Sequence, residues 1–402
     1  MLKFLSQLSQ IQLFQKYDYV IIGGGIAGLY CAYRLIKDKN ISNICIIESS
    51  DRLGGRVYTH KFNDSNVELG AGIFKPEHKT VFKLVEELGL SDKLKSFTQK
   101  KSYNISIDNN FNLDDFSKQL KIMVDNNIIN KEINYSLFRY IELKFDIKTA
   151  ILAELQNGYT GDFDMNAWDG INMLISNINK TKHSLKGGLN QIIDKLEEFL
   201  IKHNCKIIKN TSAEKIEYNS VITNNGILHA KNIILAIPQE QILKLLPKTE
   251  ILDSVTTKPL FRLYLKVDKH DIKNTLVTDT VIRQIIPMND HLLMIYCSGS
   301  SAEELNYWKK SKTLLQNVKK ALEKININLN ILDSIDIYWK NATHIWRPTF
   351  DSDIVSKEIL TKYEPIYIVG ESYSKTQQWI EGALSSVDEL IIKLKPIQEI
   401  HL

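Results

Sequence analysis

The stretch YDYVIIGGGIAGLYCAYRL, residues 17–35, decides how the chain is read. Val20, Ile21 and Ile22 form an unbroken apolar run, which suits a strand covered on both faces. Gly23, Gly25 and Gly28 follow in G-x-G-x-x-G spacing. Beyond the first turn the period changes, with Ile26, Leu29, Tyr33 and Ile36 recurring at helical steps. Strand, glycine turn and helix in that order make a dinucleotide cradle. Gly23 allows the tight turn, Gly25 admits a pyrophosphate, and Gly28 lets the helix lie close on the strand. The free N–H groups of the new helix then face the phosphates.

A second apolar run, Ile44-Cys45-Ile46-Ile47, ends in Glu48, 20 residues beyond Gly28. That is the spacing of an acid that binds a ribose hydroxyl; a solvated strand-end carboxylate is the competing reading. Glycine-dense turns recur at DRLGGR, residues 51–56, and at LGAGIF, residues 69–74. They return at KGGL, residues 186–189, before a helix, and at Gly370-Glu371 after an apolar run. A closing helix spans residues 379–393. Residues 91–184 read as helical, residues 258–298 as alternating strands, and residues 302–324 as a helix.

The chain has 402 residues, long enough for two domains, with ordinary hydrophobic (44%) and charged (24%) content. A net charge of +4 favours no polyanionic partner, and no basic–aromatic interleaving points to nucleic acid. Cys31, Cys45, Cys205 and Cys297 form no C-x-x-C pair, so no metal or redox motif is expected. Gln and Ser interrupt the first 16 residues, which argues against a signal peptide, and no run approaches a membrane span. A cytoplasmic location is the expectation.

Taken in order, these blocks resemble the FAD-dependent amine oxidases: monoamine, polyamine and L-amino acid oxidases. The likeness rests on the fingerprint, on Glu48 with DRLGGR, on LGAGIF, on KGGL, on NIILAIP at residues 232–238, and on Gly370-Glu371 with WIEGA at residues 379–383. It implies an α/β fold. A discontinuous Rossmann-like FAD domain would take residues 17–75, 186–250 and 355–395, after an N-terminal extension at 1–16. An α+β substrate domain with a helical insertion would take residues 76–185 and 251–354.

The resemblance also implies roles. Gly23, Gly25, Ile26, Ala27 and Gly28 would hold the pyrophosphate, and Glu48 with Ser49 the adenosine ribose. Gly55 and Arg56 would sit by the pyrophosphate and flavin, and Gly70, Ala71, Gly72 and Ile73 would run along the isoalloxazine. Ala213 would touch adenine through its backbone. Gly370 and Glu371 would meet the ribityl chain, and Ile380, Gly382 and Ala383 the flavin pyrimidine. Trp379 and Trp346 would wall an aromatic substrate cage, with Phe350 the second choice; for Trp346 an ordinary core position is the competing reading. Arg139 or Arg347 could hold a substrate carboxylate. Arg262 stands where the family places a lysine near flavin N5, with Lys266 an out-of-register substitute. Ser50 replaces a frequent arginine. No cysteine lies between residue 298 and Gly370, so FAD should be noncovalent. His344 is the histidine singled out for testing.

The implied chemistry is hydride transfer from the α-carbon of a small-molecule amine or amino acid to the flavin, giving an imine, with molecular oxygen reduced to hydrogen peroxide. Two alternatives stay open: a desaturase or protoporphyrinogen-oxidase-like flavoenzyme, and a non-catalytic FAD-bound interaction module.

Overall fold

The computed structural model describes residues 16–107 and 110–394. The expected N-terminal extension lies outside them except for Lys16, which already belongs to the first strand.

That strand, β1 (Lys16–Ile22), is central to a seven-stranded sheet. It pairs in parallel with β2 (Ile44–Ile47) on one side. On the other it pairs in parallel with β3 (Gly226–Leu235). Val20 and Ile21 are fully buried, so the continuous apolar run matches a strand covered on both faces. β3 is long enough to serve two neighbours on its far edge. Its first half pairs with the hairpin strand Ser220–Thr223, and its second half with β6 (Ile366–Ile368). Between β1 and β2 runs α1 (Ile26–Lys39), the helical crossover that joins parallel strands. A Cβ on Gly28 would lie 2.0 Å from the Gly23 carbonyl oxygen, so helix and strand meet this closely only with glycine there.

The second sheet has six strands, with β5 (Ile331–Trp346) at one edge and β4 (Val255–Val267) beside it. Its far edge is Lys101–Asn104, in the stretch read from sequence as helical. Leu94–Thr98 is also a strand, pairing with Thr181–Leu185. Both have distant partners, so no local pattern marks them. Four helices between residues 113 and 176 pack around their own apolar cluster, which includes Leu120, Ile141 and Ile171. The expected helix at 302–324 is two, Gly299–Lys310 and Leu314–Glu323, separated where Lys312 takes a left-handed φ of 60°.

α2 (Lys79–Glu87) and α3 (Ile380–Lys393) pack on α1 and on each other's termini. The Glu381 carboxylate accepts the N–H groups of Thr80 and Val81 at 3.1 and 3.0 Å. An acid at a helix N-terminus offsets the dipole and satisfies two orphan donors.

Candidate active site

Three glycine turns meet at the C-terminal end of β1. Gly54 N–H donates to the Gly24 carbonyl at 2.8 Å, and Gly25 and Gly54 form a parallel bridge. A Cβ on Gly25 would find no atom nearer than the Gly55 Cα at 4.0 Å, so the two glycines line an open cradle. Gly70 closes on the next turn: its Cβ would fall 1.9 Å from the Arg56 carbonyl oxygen, which accepts Ala71 N–H at 2.8 Å. The chain thus lays residues 23–25, 54–56 and 70–72 side by side.

Glu48 sits at one end of this row. Its Oε2 accepts Gly24 N–H and its Oε1 accepts Ser50 N–H, both at 2.8 Å, while Ser49 Oγ donates at 3.3 Å. Residues 210 and 211 hydrogen-bond the carbonyls of Ser50 and Glu48, which brings Ala213 to the same end. Ile26 and Ala27 are buried in the first turn of α1.

Glu371 sits at the other end, 5% exposed. Its Oε1 accepts from Arg56 Nη1 at 2.5 Å and from His344 Nδ1 at 2.6 Å, and its Oε2 accepts Gln378 N–H at 3.0 Å. Burial opposes the Glu371 charge, but His344 and Arg56 outweigh it and hold the carboxyl down at about 2. His344 is fully buried, and Glu371 with Glu240 lifts it above its ordinary value against that burial. His344 therefore braces Glu371. Gly370 takes a φ of 120° that only glycine adopts freely, and its N–H donates to Ser386 Oγ at 2.9 Å. Gly382 packs so tightly on residues 374–376 that a Cβ would lie 2.1 Å from the Thr376 carbonyl oxygen; Ile380 and Ala383 are buried beside it.

Arg262, on β4, reaches the 70–72 turn. Its Nη1 donates to the Glu68 carbonyl at 2.6 Å and stands 3.8 Å from where a Gly72 Cβ would be. Tyr264 OH donates to the same carbonyl at 2.8 Å, and the guanidinium lies 4.6 Å over the Tyr296 ring. Burial works against this charge, yet Tyr296 and Tyr264 hold the pKa above its usual value. The buried Nε has no partner. Lys266 is elsewhere, bonding Asn63 at 3.3 Å on an exposed edge, so Arg262 and not Lys266 is the cation brought to the turn. Ile73 carries the turn on toward Phe74, which is fully buried.

Trp379 N-caps α3, with Lys75 Nζ 4.8 Å over its ring and His78 at 5.0 Å. Trp346 is a correction. It is 1% exposed in the core under the first sheet, packing on Tyr373 at 6.5 Å, because the end of β5 pairs with Val255 inside that core. Its neighbours are core residues, the competing reading for this position. Phe350 is partly buried against the same core. Arg139 and Arg347 pair with the acids Glu142 and Asp253.

Sequence reasoning missed Lys258, which makes a buried ion pair with Asp162; Asp162 also accepts from Gln378 Nε2 at 3.3 Å. The partners are 96 positions apart, so nothing local marks them.

An open glycine cradle, an acid at one end, a buried arginine–glutamate pair at the other and an unpartnered Arg262 Nε fit an extended dinucleotide with a polar ring system. Residues 26–176 match the family model described as flavin containing amine oxidoreductase. Over these residues the chain is similar to that family. The likeness implies FAD as the cofactor and an oxidoreductase. Each of the four thiols is buried within the fold. The chain is 23% identical to uncharacterized protein R188 of Acanthamoeba polyphaga mimivirus over 94% of this chain and 93% of that protein. It is 40% identical to the flavin-dependent L-tryptophan oxidase RebO of Lentzea aerocolonigenes, across 19% of this chain and 17% of that one. Among solved structures, a putative protoporphyrinogen oxidase from Exiguobacterium sp. 255-15 superposes with a TM-score of 0.73 at 20% identity, covering 94% and 99% of the two chains. Putrescine oxidase bound to putrescine superposes with a TM-score of 0.73 at 16% identity, covering 94% and 98%. At these identities the structural likeness speaks for the fold. Among the described residues no helix is long and apolar enough to cross a membrane.

Proposed function

We propose that this oxidoreductase is an amine oxidase that removes hydride from the α-carbon of a small amine or amino acid and passes the electrons to oxygen, releasing hydrogen peroxide. The observation that carries the reading is Arg262: a buried cation whose Nη1 donates to the Glu68 carbonyl just before the 70–72 turn and whose Nε is unpartnered. Bound FAD supplies the two-electron acceptor. The chain supplies its position. Residues 23–28 and 54–56 would hold the pyrophosphate on backbone N–H groups, Glu48 the ribose, and Glu371, braced by Arg56 and His344, the ribityl chain. Arg262 would place a fixed positive charge beside the reacting ring, and a guanidinium stays ionised at every working pH. Trp379 would form an apolar wall that excludes water and orients the amine. The division into a discontinuous FAD domain and a substrate domain belongs to the same proposal.

The test is an anaerobic screen of amines and amino acids, followed by loss of flavin absorbance. Bleaching by at least one amine, with peroxide on readmission of air, is the expected result. A protein that binds FAD yet is bleached by none would overturn it. Arg262→Met should slow reoxidation by about tenfold or more, as loss of one preorganised charge does, while Lys266→Met leaves it unchanged.

A further inference from the structure

Beside Trp379 the fold buries cations without matching anions. Lys75 is 3% exposed and Lys182 is 6% exposed. An ammonium has three donors, yet the bond seen for Lys75 Nζ goes to Ser176 Oγ at 2.8 Å, and that for Lys182 Nζ to the Asn179 carbonyl at 2.9 Å. The closest carboxylate is Glu77, 3.9 Å from Lys75 and half in solvent. Lys180 adds a further positive charge but is taken up by Asp114 at 2.5 Å. Of the buried acids on this side, Asp162 is taken by Lys258, and Glu381 accepts the Thr80 and Val81 N–H groups. His78 beside them is held neutral, pushed down to about 3 by burial and by Lys75 and Lys182.

Burying a charge is costly unless something pairs with it. Burial and the neighbouring Lys182 bring Lys75 down to about 8, still mostly protonated at neutral pH. Such an arrangement is stable in use when an anion completes it. The location is informative, because Lys75 lies two residues past the 70–73 turn and its ammonium stands over the Trp379 ring.

We propose that Lys75 and Lys182 form an anion-recognition subsite beside Trp379, so that the amine oxidised here also carries a carboxylate. This rests on the amine oxidase reading above. An amino acid is then favoured over a di- or polyamine, whose second ammonium the same lysines would repel.

The probes are phenylacetate and its neutral isostere phenylacetamide, titrated into the FAD-loaded protein by calorimetry. Wild-type protein should bind the acid at least about tenfold more tightly than the amide, the scale of one charge-assisted contact. Lys75→Met and Lys182→Met should each remove most of that preference while leaving amide affinity and FAD content unchanged, and Lys75→Arg should restore part of it. Equal wild-type affinity for acid and amide overturns the subsite even if a variant fails to fold, and so does a preference that survives both substitutions. Phenylalanine and phenethylamine, which differ by the carboxylate, separate this proposal from its parent. Anaerobic bleaching as readily by phenethylamine as by phenylalanine removes the subsite and keeps the oxidase. An intact acid preference with no bleaching by any amine or amino acid removes the oxidase and keeps the subsite.

Discussion

Glu371→Gln tests the tail end of the cradle. The carboxylate is buried and carries the Arg56 Nη1, His344 Nδ1 and Gln378 N–H bonds at once. A glutamine keeps the shape, loses the charge, and turns an amide NH2 toward either the Gln378 N–H or both cationic donors. Breaking a buried ion pair from one side costs about 3–5 kcal/mol, because the partner charges stay buried. The Arg56 side chain is 30% exposed and water screens part of its charge, so the lower end, about 3 kcal/mol, is expected. With an unfolding entropy of about 2.1 cal/mol/K per residue over 402 residues, that lowers the melting temperature by about 4 °C. The effect depends on pH in two ways. The Glu371 carboxyl is depressed to about 2 from 4.5, so its contribution is full above about 4.5 and disappears as pH falls toward 2. His344 is raised from 6.5, so its contribution is full below about 6.5 and fades as pH climbs through the raised value. The gap between wild type and variant should therefore be widest at pH 4.5–6.5. Differential scanning calorimetry of both proteins, FAD-free and FAD-saturated, measures it. Equal melting temperatures across that window, or a gap that does not shrink at acid pH, would refute the buried network.

Other outcomes follow from the same geometry. Lys258→Met or Asp162→Leu alone should destabilise by about 3 kcal/mol or more, since each leaves a buried charge behind, whereas the two together should cost far less than the sum; additive losses in urea melts would show that the pair is not coupled. Gly28→Ala puts a Cβ 2.0 Å from the Gly23 oxygen, so helix and turn must separate. It should cost about 1–3 kcal/mol and weaken FAD binding, read by flavin fluorescence quenching, and unchanged affinity would mean that the turn does not shape the cradle. Lys75 faces Lys180, Lys182, Glu77 and neutral His78, and it loses its proton near pH 8. Phenylacetate affinity should hold below pH 7 and fall as pH rises through 8, while phenylacetamide affinity stays flat.

What could be read from the sequence was what is local. The β1–α1 unit announces itself because an apolar strand, three spaced glycines and a helical period sit within 20 residues, and Glu48 completes it at a fixed spacing. His344 stood out only as a member of an aromatic segment. Its bond to Glu371 joins the end of β5 to the 370–371 turn, across 27 positions. Lys75 looks like any solvated lysine until Lys182, on a strand paired beyond residue 180, crowds it. Trp346 shows the reverse error. Its aromatic segment suggests a cage wall, but the register of β5 against Val255 turns it into the core. Leu94–Thr98 and Lys101–Asn104 escaped for a related reason: short strands take their identity from partners far along the chain.

One FAD would lie across the turns at residues 23–25, 54–56, 70–72 and 370–371. The decisive measurement is the flavin content of the purified, FAD-reconstituted protein, read by absorbance before and after denaturation. One FAD per chain, released in full into solution when the protein unfolds, is the predicted result. A colourless protein that takes up no FAD would contradict the account, and so would flavin that stays attached to the denatured chain.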